Sequence, residues 1–189
     1  MAAVARGKLM QNYRCLYLNS RPMVAGMSSY LAAVGVDVGR ETGRTSLVLS
    51  SEQLHLVDGQ FDIERMIRDL EDALGQALED GYAGLWASGD MTWEMGPARD
   101  FSKLLEYEQR LEEFFCEHAE MSGICQYHAD TLPPKVLRQG LVAHRSLYVN
   151  ETLSLLNPYY LPFASRQDAT RNSELDAIAL RLCHSDGLE

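Results

Sequence analysis

Apolar residues in this chain fall into two alternating patterns, short unbroken runs and longer stretches with three-to-four spacing. That alternation predicts a mostly parallel β-sheet with helices on its faces, a three-layer α/β fold. Cys15 to Leu18 (CLYL) is a run of the kind a buried strand needs, and Arg21-Pro22 then opens a helical stretch that passes Leu31 and Val34 before Gly35 stops it. Val36 to Arg44 is polar and broken by glycines, and it leads into a second strand at Ser46 to Leu49. Asp58-Gly59 marks a turn. The strongest helix signal covers Phe61 to Asp80, where Ile63, Met66, Ile67, Leu70, Leu74, Ala77 and Leu78 recur on one face. The opposite face is mostly acidic, the usual composition of a solvated surface. Gly81 ends this helix, and Gly84 to Ser88 (GLWAS) forms the next strand.

A second long helix is expected from about Asp100, its N-cap, with Leu104, Leu105, Leu111, Phe114 and Phe115 facing inward. The strand Gly123 to Tyr127 follows, and Pro133-Pro134 then start a helix that runs to about Arg145 with Val136, Leu137, Leu141 and Val142 inward. Leu147 to Val149 and Thr152 to Leu156 flank the turn-prone Asn150-Glu151, which predicts a C-terminal antiparallel hairpin at one edge of the sheet. From Ala164 to Asn172 the composition becomes linker-like, and Ser173 to Leu182 offers one more short helix. The organisation expected is one domain over residues 1–163, with a linker and short helix over 164–189.

Composition narrows the functions available. At 189 residues, with 46% hydrophobic and 23% charged positions, the chain can bury one proper core. Seventeen basic residues stand against twenty-seven acidic ones, for a formal charge of −10. Phosphate backbones and anionic lipid surfaces are repelled on average, so neither nucleic acid nor membrane is an expected partner. The chain shows no apolar run of about 18 residues and no secretory pattern at its N-terminus, and a cytoplasmic location is expected. Cys15, Cys116, Cys125 and Cys183 are far apart, and the five histidines are scattered. Reduced thiols, no metal centre and no cofactor are therefore expected.

Candidate chemistry belongs at the carboxyl ends of the strands, where open α/β sheets leave a crevice. Asn19-Ser20, Gly89-Asp90 with Trp93, and Gln126-Tyr127-His128 occupy such ends and would form one polar pocket with aromatic walls. Asp90, Trp93, Cys125 and Tyr127 are the candidate ligand-binding residues. For Asp90 the structural alternative is a cap on the next turn, for Trp93 packing in the core or at its rim, for Cys125 a small buried hydrophobe, and for His128 a solvent-facing loop position. Neither G-x-x-x-x-G-K-[ST], G-x-G-x-x-G nor G-x-S-x-G occurs. Three readings follow: a sensor that binds a small organic molecule or a partner domain, a small enzyme with Cys125 as nucleophile beside Asp90 or His128, and a purely structural interaction domain.

Several stretches resemble a known family: Arg14 with CLYL to Leu18, the D-G-x-F-D segment Asp58 to Asp62, GLWASGDMTWEM from Gly84 to Met95, and LLEYE followed by ICQY between Leu104 and Tyr127. HRSLYVNE from His144 to Glu151 and NPYY from Asn157 to Tyr160 look like that family's closing hairpin. Together they resemble the MEDS domain, the sensory domain of methanogen and methylotroph signalling proteins and of the dichloromethane-responsive regulator. The resemblance covers about residues 1–163. It implies a RecA-like fold without a working ATPase, used as an input module in prokaryotic regulators, histidine kinases and anti-sigma circuits, with small organic molecules as input. The family has a strand and loop before the helix that leads into its CLYL-like strand, whereas only Met1 to Asn12 precedes that strand here. The expectation is a domain short of its first strand, with an exposed edge that a second copy of the chain would cover. Trp86 stands where the family tends to carry Arg, and Asp90 where it tends to carry Glu, which implies an input of different chemistry.

Overall fold

A computed structural model describes residues 1–150, 153–157 and 160. The linker and helix expected over 164–189 lie outside the described residues. In chain order the elements are α1 (Ala2–Met10), β1 (Tyr13–Leu18), α2 (Arg21–Ala33), α3 (Val38–Gly43), β2 (Leu47–Ser50), β3 (Leu56–Val57), β4 (Gln60–Phe61) and α4 (Ile63–Glu79). There follow β5 (Gly84–Asp90), α5 (Met91–Glu94), α6 (Leu104–Glu117), β6 (Met121–Gln126), α7 (Pro134–Ala143), β7 (Ser146–Asn150) and β8 (Leu153–Leu156). Four strands form one parallel sheet in the order β2-β1-β5-β6, with Cys15 opposite Leu47 and Trp86, and Asp90 opposite Gln126. The fold is α/β, as the alternating pattern predicts.

Side chains alternate across a strand, and the sheet uses both faces. Leu85 and Ala87 of β5 join a core with α4 and α6, made by Met66, Ile67, Leu70 and Leu74 on one helix and Leu104, Tyr107, Leu111 and Phe114 on the other. Cys15, Tyr17, Leu47 and Trp86 face the other way, against Ala5 of α1 and Met27 and Leu31 of α2. Trp86 is thus a core residue, 2% exposed. The helix α4 starts where Asp62 accepts a hydrogen bond from the Arg65 N–H at 2.8 Å. Its apolar stripe buries six residues, each contributing about 1.5–3 kcal/mol when large and aliphatic. Leu78 departs from the expected stripe and is 43% exposed. At ~100° per residue it lies at the stripe's margin, and Ala77 takes the inward place in the last turn.

Two further expectations are corrected, the irregular Val36 to Arg44 and the place of the hairpin, while the Asp58-Gly59 turn and the Asp100 cap hold with added detail. Val36 to Arg44 contains the helix α3, begun by Asp37, which accepts from the Arg40 N–H at 3.0 Å. Around Asp58-Gly59, both at positive φ, the chain forms the short ribbon β3–β4. Asp100 caps a single 3₁₀ turn, Phe101–Lys103, that leads into α6. The hairpin β7–β8 exists, but as a separate two-stranded sheet rather than at an edge of the main one. Its base is fastened to α7 instead: the Asn157 side chain donates to the carbonyls of Leu141 (2.5 Å) and His144 (2.9 Å), and its N–H donates to Arg145 O. Among the described residues no helix is long and apolar enough to cross a membrane.

Candidate functional site

The strand order reverses its direction of growth between β1 and β5. From β1 the chain passes through α2 outward to β2 on one side, and from β5 it passes through α6 to β6 on the other. Where the carboxyl ends of β1 and β5 part, a cleft of about 480 Å³ opens. Asn19, Ser20 and Met23 line it from the β1–α2 side, Gln53 from the segment after β2, and Asp90, Thr92 and Trp93 from the end of β5 and from α5. Gly96, Pro97 and Arg99 close one wall, with His128 and Thr131 after β6 closing another.

Asp90 is the hub of this cleft. Its Oδ1 accepts from the N–H groups of Thr92 (2.8 Å) and Trp93 (3.1 Å), and so caps α5. Its Oδ2 lies 2.9 Å from His128 Nε2, and the histidine is 41% exposed while the carboxylate is 7% exposed. Asn19, fully buried, donates from Nδ2 to the Tyr17 hydroxyl at 3.1 Å, and its Oδ1 accepts from Ser20 N. Trp93 is half-buried at the rim, held edge-on by His55 at 5.5 Å between ring centroids, and Gln53 donates to its carbonyl at 2.6 Å.

A model of the MEDS family, described as the methanogen/methylotroph, DcmR sensory domain, matches residues 1–145, the span that holds every residue of the cleft. This chain belongs to the MEDS family. Comparison with curated proteins and comparison with solved structures return no match.

Within this MEDS domain the four candidate ligand residues divide. Asp90 and Trp93 line the cleft, whereas Cys125 and Tyr127 pack on the opposite face of the sheet against α6 and α7. Parity along the strand explains the division: Asp90 is in register with Gln126, and the residues on either side of Gln126 must point the other way. Behind the sheet Cys125 Sγ lies 3.7 Å from Glu108 Oε2, the Tyr127 hydroxyl donates to Glu108 Oε1, and His144 Nε2 is 3.2 Å from Glu108 Oε2. Burial, with Glu108 and Glu94 adding to it, pushes the Cys125 thiol well above its ordinary range. Such a thiol stays protonated at neutral pH, and the sheet stands between it and Asp90.

Two buried groups next to the MEDS cleft escaped the sequence reading. Glu94 is 1% exposed, and burial pushes its carboxyl up to about 8, against a hydrogen bond from Tyr107 that favours ionisation. His55 is 3% exposed, and burial lowers its pKa. Its Nε2 meets the Glu94 carbonyl at 2.9 Å, so Nε2 carries the proton of the neutral ring. The available signal for Glu94 was Gly89, a glycine inside a fully buried strand.

Proposed function

We propose that this MEDS domain is a signal-input module whose strand-end cleft takes up a small organic molecule and passes the change to a partner signalling protein, without hydrolysing ATP. The observation that carries this reading is the cleft itself. It sits at the topological switch point, its volume lies within the roughly 300–1,000 Å³ of small-molecule sites, and it combines an aromatic rim with a polar pair. Trp93 offers a face for an apolar body, and the Asp90–His128 pair offers one acceptor and one exchangeable donor to a polar end. Two residues alone, Asn19 and Ser20, connect β1 to α2, and neither is a glycine. A connection that short supplies no loop of N–H groups to wrap a phosphate chain, and the Asp90 carboxylate opposes one.

Sensing requires a ligand that favours one state of the domain over another. A ligand donor that takes Asp90 Oδ2 competes with His128, and the segment after β6 answers. The test is the thermal unfolding midpoint against a panel of small organic metabolites and nucleotides, since a ligand held by the folded state alone raises it. One organic class should raise the midpoint, and Trp93→Ala should abolish that rise. An equal rise with ATP and magnesium would overturn the reading, and a panel that moves nothing would assign the domain to protein interaction instead.

A further inference from the structure

The cluster behind the sheet contains three side chains that metal ions favour, contributed by three different elements. Glu108 comes from α6, Cys125 from β6, and His144 from the end of α7. One ligand atom from each lies within 4.8 Å of the others, and the carboxylate is buried. We propose that Glu108, Cys125 and His144 bind a divalent transition-metal ion of the zinc or cobalt type, with a fourth position open to an exchangeable ligand.

Three independent features carry the proposal. The first is edge length. Zinc bonds of about 2.3 Å to sulfur and about 2.0 Å to nitrogen and oxygen, set at tetrahedral angles, put sulfur about 3.5 Å from oxygen and nitrogen about 3.3 Å from oxygen. The observed separations from Glu108 Oε2 are 3.7 Å to Cys125 Sγ and 3.2 Å to His144 Nε2. The second is the state of the ring. His144 Nδ1 meets the Gly140 carbonyl at 2.7 Å, and a carbonyl can only accept, so Nδ1 carries a proton. The Nε2 lone pair of the neutral ring then faces the carboxylate Oε2, and two acceptors at that distance need a cation between them, a proton or a metal ion. A ring N–H given to a backbone carbonyl is also how ligating histidines are held, and the Tyr127 hydroxyl fixes the carboxylate through its other oxygen. Gly140 permits this packing, because a Cβ there would lie 2.5 Å from the Tyr127 ring.

The third feature is the space beside the thiol. Cys125 lines a cavity of about 30 Å³ together with Glu94, whose buried Oε2 has no hydrogen-bond partner among the described residues. That cavity has room for about one water, which is the fourth ligand an open zinc site uses. Charge fits as well, since a divalent ion, a thiolate and a carboxylate sum to zero in a buried place. Entry is available past His144, whose side chain is 25% exposed. On binding, the Cys125 S–H bond breaks and a sulfur–metal bond forms. That proton and the one held between Nε2 and Oε2 leave to solvent, and no electrons are transferred. The scatter of Cys and His along the sequence is no obstacle, because three elements converge here.

The experiment titrates the reduced, chelator-treated full chain with Co²⁺. One equivalent should develop a thiolate-to-cobalt charge-transfer band with the visible bands of a four-coordinate ion, and one equivalent of Zn²⁺ should remove both. Cys125→Ser should lose the charge-transfer band and Cys116→Ser should keep it. Tyr127→Phe should keep the band and weaken binding by ~10–100-fold. A wild-type measurement stands beside the variants: Zn²⁺ should slow alkylation of Cys125, read by peptide mass spectrometry, and leave Cys116 unchanged. Absence of the band with excess Co²⁺, its survival in Cys125→Ser, or zinc protection of a different cysteine would overturn the assignment.

Discussion

Gly89 is bare because another side chain occupies its place. A Cβ built there would lie 1.5 Å from Glu94 Oε1, and Glu94 is too buried to retreat. Gly89→Ala should therefore cost about 1–3 kcal/mol in overpacking, measured as a lower urea midpoint at unchanged slope. Adding Glu94→Ala should recover part of that loss, which would show that the two positions are coupled. The same pair marks the limit of what residue types disclose. Asp90 and Trp93 could be placed at the cleft from the sequence because a strand end fixes them, but the parity that sends Cys125 and Tyr127 to the other face depends on register with β5. Glu108 was legible in principle. It falls four residues after Leu104 and three before Leu111, on the buried stripe of α6, where a carboxylate is out of place unless other side chains satisfy it.

At the scale of elements, α4 shows how far periodicity reaches. Leu74, 3% exposed in the core between α4 and the sheet, should lose about 2–5 kcal/mol on truncation to Ala, whereas Leu78→Ala, at the margin of the same stripe, should change stability by less than about 0.5 kcal/mol. Urea unfolding of the two variants checks the contrast. Long helices and central strands were readable because many residues vote for each. The six-residue α3 and the two-residue strands β3 and β4 were not, because elements that short hold too few apolar positions to show a period. Their punctuation was nevertheless present in the sequence: Asp37 as a cap, and Asp58-Gly59 as the turn a two-residue hairpin demands. The place of the β7–β8 ribbon was hidden for another reason. Asn157 fixes it through backbone carbonyls of α7, and no residue-type pattern records such bonds.

For the whole molecule, the two buried groups beside the cleft give folding a pH dependence. Glu94 holds its proton up to about 8 when folded and up to its ordinary 4.5 when unfolded. Between those values the folded state binds more protons, so stability falls as pH rises. His55, with a folded pKa below 6.5, acts in the opposite sense below that value, which leaves about 6.5 to about 8 as the window where Glu94 acts alone of the two. Wild-type stability measured by urea unfolding should drop across that window, and Glu94→Gln should flatten the drop; equal slopes would refute the buried acid. Asp90 adds a consequence of a mechanical kind. One oxygen belongs to the start of α5 and the other to His128, on the segment that leads to α7. An occupant competing for the second oxygen antagonises the tether and leaves the cap intact. An occupant there would thus act as a one-sided release: β5 and α5 would stay locked while the chain from β6 towards α7 would lose its bond to Asp90 and keep the Thr92–Thr131 hydroxyl contact at 3.2 Å.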